Sequence, residues 1–145
     1  MGVTDVCTRL EDALPIASLY QRIIRILYRL RRDNPRWRLY ANMLINENRW
    51  RAQRYGLDEG LLNFGKGQMV PSADLISELI TIVAEDAVAL NCTAEIECLH
   101  DIIEGGTSAH WQPAIYKQSL ERGKSKQDAL NDVVDMLIKE TVSGI

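Results

Sequence analysis

Residues 48–60 read NRWRAQRYGLDEG, and within them Arg49, Arg51 and Arg54, with Arg38 upstream, crowd the end of a helical run that turns at Gly56. Guanidinium groups present planar, paired donors to carboxylate or phosphate. Such a cluster suits the holding and neutralising of an anion. It supplies no nucleophile. The chain carries no GxSxG, HExxH or CxxC pattern, so none of these catalytic or metal-ligating signatures applies and no catalytic residue is assigned.

Weaker chemical patterns have plainer explanations. His100 lies near Glu97, Asp101 and Glu104 at helical spacing, and Glu97, His100 and Glu104 are a conceivable metal set. A di-metal carboxylate bundle needs a second Glu-x-x-His, and the chain has none, so the cluster reads as a solvated acidic face. Gly65, Lys66 and Gly67 resemble a phosphate cradle in composition but lack the P-loop spacing and its trailing Ser or Thr. Cys7, Cys92 and Cys98 have no paired metal spacing. Their odd number, with no export signal, points to reduced thiols in a cytoplasmic protein. Cys98 is expected in the core.

Charge is divided unevenly. Residues 1–54 hold eleven arginines, no lysine and five acids, whereas residues 55–145 hold six basic and fifteen acidic side chains, for a net charge of −3. Arginine without lysine favours specific pairing over solubility. It also fits packing against acids in the other half, or a solvated helix face. The acidic total and the lack of a recognisable helix-turn-helix argue against nucleic acid. No apolar run approaches bilayer-spanning length, so no membrane partner is expected.

The elements that must position these residues are nearly all helical. The pattern predicts an all-α fold of about six helices, with a short β-hairpin or loop near residues 61–70, in one domain over 1–145. Val3 to Val6 is β-prone. Thr8 and Glu11 have capping-box spacing and predict the start of the first helix. Leu10, Ala13, Leu14, Ala17, Tyr20, Ile24, Leu27 and Leu30 form its expected apolar face, with Arg22, Arg25, Arg29 and Arg32 on the other side. Asn34 and Pro35 should cap a second helix from about Arg36 to Tyr55, with Trp37, Tyr40, Ala41, Leu44, Ile45 and Ala52 buried. Ser72 opens a third helix, with Leu75, Ile76, Leu79, Ile82, Val83 and Ala87 inward. Thr93 caps a fourth helix that Gly105 and Gly106 close, and Thr107 caps a fifth whose Pro113 predicts a late start or a kink. Ser125 with Asp128 opens the last, with Leu130, Val133, Val134, Leu137 and Ile138 as its core face.

The segments DVCTRLEDALPIASLY, NRWRAQRYGLDEGLLNFGKGQMVPSADLISEL, GTSAHWQ and ALNDVVDMLIKET occur in that order. Together they resemble the C-terminal part of the bacterial carboxylate–amine ligases similar to glutamate–cysteine ligase, from about Val3 to Val142. The resemblance implies a glutamine-synthetase-like fold, in which a curved sheet holds ATP, magnesium and an amino acid. A carboxylate is phosphorylated and then attacked by an amine. The family's magnesium-binding acids lie on strands before this region. The chain is therefore expected to be the C-terminal helical fragment of such an enzyme, inactive alone, with no cofactor of its own.

The W-x-A-x-R-Y-G pattern of the family is matched by Trp50, Ala52, Arg54, Tyr55 and Gly56. On that pattern Arg54 is the first candidate to face phosphate or a substrate carboxylate, with Arg51 next. Asn48, Arg51 and Tyr55 share one helix face by spacing. Arg54 is equally placed to pair with Asp58 and fix the turn. GTSAHWQ departs from the family at Trp111, where an arginine or another polar residue is usual, and at Pro113. No role is assigned to it.

The alternative to a ligase fragment is a free-standing helical interaction or regulatory subunit without catalysis. Both readings leave helix faces uncovered, and exposed apolar patches drive association. The expected partners are a second copy of the chain or a catalytic sheet.

Overall fold

A computed structural model describes residues 7–33, 39–91 and 93–143, without the side chains of 93–97. Six helices and one hairpin follow in the order α1 (Leu10–Arg32), α2 (Asn42–Tyr55), β1 (Leu61–Asn63), β2 (Gln68–Val70), α3 (Ser72–Ala89), α4 (Thr93–Gly105), α5 (Ser108–Glu121) and α6 (Lys126–Val142). The strands pair antiparallel, Leu61 opposite Val70 and Asn63 opposite Gln68. The mostly helical architecture and the hairpin at 61–70 are as the sequence predicts. The β-prone stretch at Val3 to Val6, the Asn34–Pro35 cap and Trp37 lie outside the described residues.

Helices α1, α3 and α4 pack on one another. Ile26, Val83 and Ala87 form the buried centre, with Leu19, Ile23, Leu30, Leu79 and Ile80 around it. The inward face of α1 is not the one the periodicity suggests. Leu10, Leu14, Tyr20, Ile24 and Leu27 are all exposed, while Pro15, Arg22 and Ile26 are buried. Alpha1 is apolar on two sides, and its arginine side turns toward α3. The Asp86 carboxylate explains the choice. Though buried, it accepts Arg25 Nε and Arg29 Nη2, each at 2.9 Å. A buried carboxylate requires such partners, and only the arginine side of α1 supplies them. Hydrogen bonding to Asp86 in turn raises the Arg29 pKa above its ordinary value.

Several helix ends differ from the sequence expectation. Arg9, not Thr8, is the N-cap of α1. Thr8 Oγ1 instead donates to Glu140 Oε2 at 3.0 Å, tying the start of α1 to the end of α6, and Glu11 pairs with Arg9. Alpha2 begins at Asn42 rather than near Arg36, and none of its residues is buried. Tyr40 lies before the helix and packs on Phe64 with ring centroids 4.9 Å apart. Cys98 is exposed rather than in the core. Alpha5 runs from Ser108 through Pro113 without the expected late start.

The last two helices pack closely against each other. Ser125 caps α6 as its spacing predicts, accepting the Asp128 N–H at 3.1 Å. Asp132 joins the pair: it accepts the buried Ser119 hydroxyl at 2.6 Å and Lys124 Nζ at 2.7 Å. Only part of the expected core face of α6 is inward. Ala129 and Val133 are buried, whereas Leu130, Val134 and Ile138 face outward. Alpha6, like α1, carries apolar residues on two faces, and it packs chiefly on α5.

Candidate functional site: a groove between two helix ends

Alpha2 stops where Gly56 adopts φ 59° and donates its N–H to Ala52 O at 3.0 Å. This conformation costs glycine little and other residues more. The chain then doubles back into β1. At Gly60 the backbone passes so close to Val70 that an added Cβ would stand 2.6 Å from the Val70 carbonyl oxygen. The hairpin turn is held by Asn63, whose Oδ1 accepts the N–H groups of Gly65 and Lys66, each at 3.0 Å. The glycines around Lys66 thus serve a turn.

Three of the four predicted anion contacts are occupied by the protein itself. Asn48 acts as a side-chain strand partner: Nδ2 donates to Leu62 O at 2.9 Å and Oδ1 accepts Leu62 N–H at 2.7 Å. Arg51 Nε donates to Gly60 O at 3.0 Å, and its other nitrogens reach Glu59 at 3.3 Å and Glu47 at 3.8 Å. Its guanidinium also lies 5.6 Å from the Tyr55 ring centre. Tyr55 meets Trp50 edge to face at 5.6 Å. Asn48, Arg51 and Tyr55 do share one helix face, and that face fastens α2 to the hairpin.

Arg54 is different. Its side chain is exposed and, among the described residues, makes no ion pair or hydrogen bond. The pairing with Asp58 is not formed, because Asp58 Oδ1 receives His110 Nε2 at 3.0 Å. The His110 tautomer follows from its other nitrogen. Nδ1 accepts the Thr107 backbone N–H at 2.9 Å, so in the neutral ring the proton sits on Nε2 and is donated to Asp58. His110 therefore serves both as part of the α5 cap and as a strut to the loop after α2.

Arg54 and Arg49 line an open groove of about 1010 Å³ with Asp58, Glu59, Thr107 and His110. Its acids are already engaged, Asp58 by His110 and Glu59 by Arg51. Arg49, like Arg54, has no ion pair among the described residues. The positive end of the α5 dipole borders the same space. This arrangement can hold an anion. Sequence reasoning singled out Arg54 but not the α5 side of the groove. The available signal was Thr107-x-x-His110, a cap spacing that also fixes the ring.

The family model for glutamate–cysteine ligase family 2 matches residues 1–134. The chain belongs to this family. A candidate glutamate–cysteine ligase 2 of Rhodospirillum rubrum is 52% identical over the whole chain, which spans 37% of that protein. Similarly named proteins of Jannaschia sp. and Paracoccus denitrificans are 46% and 41% identical over 138 residues, spanning 36% and 37% of their lengths. The chain corresponds to the C-terminal part of these relatives, somewhat over one third of each. No solved structure matches it. Among the described residues no three His, Cys, Asp or Glu side chains gather as a metal site. No described helix is long and apolar enough to cross a membrane.

Proposed function

We propose that this chain is the helical C-terminal part of an ATP-dependent carboxylate–amine ligase, which joins a glutamate carboxylate to an amine such as that of cysteine. Catalysis requires the remainder of the enzyme, which holds ATP and magnesium. The observation that carries this reading is 52% identity across the whole chain to just 37% of a candidate ligase. Exposed apolar side chains along α1 fit a helix made to lean on further structure. Phosphoryl transfer depends mostly on positioning and charge neutralisation. Arg54, with Arg49 beside it, is the residue we assign to a phosphate or substrate carboxylate at the lobe's edge. Asn48, Arg51 and Tyr55 hold the platform from which it projects.

The test is phosphate release and amide formation from ATP, magnesium, glutamate and cysteine. The chain alone is expected to be inert. The same chain fused behind the preceding part of the Rhodospirillum rubrum relative is expected to turn over. Turnover by the chain alone, or a folded but inert fusion beside an active parent, would overturn the reading.

A further inference from the structure

Asp58 and Arg54 line the same groove. The Asp58 side chain is 73% exposed, and among the described residues its carboxylate is engaged by His110 alone. A carboxylate set loose in this groove would compete with any anionic ligand, because it both occupies guanidinium donors and cancels their charge. The two ring nitrogens of His110 have separate tasks. Nδ1 accepts the Thr107 N–H at 2.9 Å and belongs to the start of α5, whereas Nε2 meets Asp58 Oδ1 at 3.0 Å. The first bond fixes the ring, so its second nitrogen is already aimed. Pairing Asp58 with Arg54 would instead have to order a long exposed side chain.

We propose that His110 is a positioning residue for the anion site: it donates Nε2–H to Asp58, holds that carboxylate off Arg54, and so keeps the guanidinium open to a phosphate or carboxylate ligand. The inference rests on the assignment of Arg54 made above. His110 acts here through Asp58 and need not touch the ligand. An exposed ion pair is worth little, so releasing Asp58 onto Arg54 should weaken anion binding only about two- to fivefold. The effect should vanish when residue 58 carries no charge. That dependence separates the proposed role from a general one in shaping α5.

Titration of the intact chain with inorganic phosphate, followed by NMR at the backbone amides of Gly56 and Ala109, tests this. Phosphate is expected to shift these signals in wild type and much less in Arg54→Ala. His110→Asn keeps an acceptor bonded to Cγ, where Nδ1 stands, and has no atom in place of Nε2. It removes the strut while leaving an acceptor for Thr107, and should weaken binding about two- to fivefold. In an Asp58→Asn background the same change should do nothing. Asp58→Asn by itself, which alters nothing on α5, should bind phosphate at least as tightly as wild type. No shift in wild type, or an equal shift in Arg54→Ala, would overturn the anion assignment and this inference with it. Binding that depends on Arg54 but not on His110 would overturn this inference alone. So would His110→Asn weakening binding equally in both backgrounds, or Asp58→Asn binding less tightly than wild type.

Discussion

The Asp58 carboxylate lies 3.0 Å from His110 Nε2, across fifty-two positions of sequence, and not against the guanidinium of Arg54 four positions before it. This choice of partner shapes the groove. It braces the α5 cap against the loop after α2 and leaves Arg54 uncommitted.

Arg51 and Arg54, three positions apart, should respond to mutation in opposite ways. Arg51→Ala removes the bond to the Gly60 carbonyl and the Glu59 pairing. It should cost about 1–2 kcal/mol of stability, measured by urea unfolding. Arg54→Ala should change stability by less than about 0.5 kcal/mol. In the full-length ligase fusion it should reduce phosphate release at least tenfold, the scale of losing one charge-stabilising contact. Equal stability losses for the two variants would place Arg54 with the structural residues.

Asp86 holds α1 to α3. Asp86→Ala leaves Arg25 and Arg29 without their shared carboxylate. Removing one partner of a buried pair typically costs 3–5 kcal/mol. Both guanidiniums retain contact with water, so the expected loss is near the low end, about 3 kcal/mol. A loss below about 1 kcal/mol, read from thermal or urea unfolding, would mean that apolar contacts alone set how α1 and α3 meet.

Acid should loosen the α5–α6 pair. Hydrogen bonds from Lys124 and then Ser119 hold Asp132 below its ordinary value of 3.8. The folded state thus binds this proton less readily than the unfolded state. The corresponding stability is fully present above the unfolded value and is lost as pH falls through the lowered one. Urea midpoints measured downward from pH 5 should therefore fall more steeply in wild type than in Asp132→Asn. Superimposable profiles would contradict the assignment.

Gly60 tests the close approach of the hairpin. Gly60→Ala places a methyl group against the Val70 carbonyl oxygen. Backbone must shift to admit it, at about 1–3 kcal/mol, the usual cost of overpacking. Gly65→Ala is the control: its added Cβ would meet only Asn63 Oδ1, at 3.3 Å. Equal stability for the two variants would show that the backbone yields at residue 60 without strain.

Local order was largely legible in the sequence. Six helices, a hairpin at 61–70, the Gly56 stop and the Ser125 cap all follow from short-range rules: apolar period, turn residues and cap chemistry act over a few positions. The run of motifs from Asp5 to Thr141 pointed to the family, and Arg54 stood out within it. Partner choice was not legible. Thr8 has capping-box spacing with Glu11 yet bonds Glu140, and Asp58 is near Arg54 yet binds His110. Periodicity singled out one apolar face on α1 and one on α6, and much of each turns outward. Tertiary packing decides, because a buried carboxylate such as Asp86 must find its guanidiniums from a distant helix. Only the folded chain brings them within reach, and in doing so it fixes which face turns in and which arginine side chain is left without a partner among the described residues.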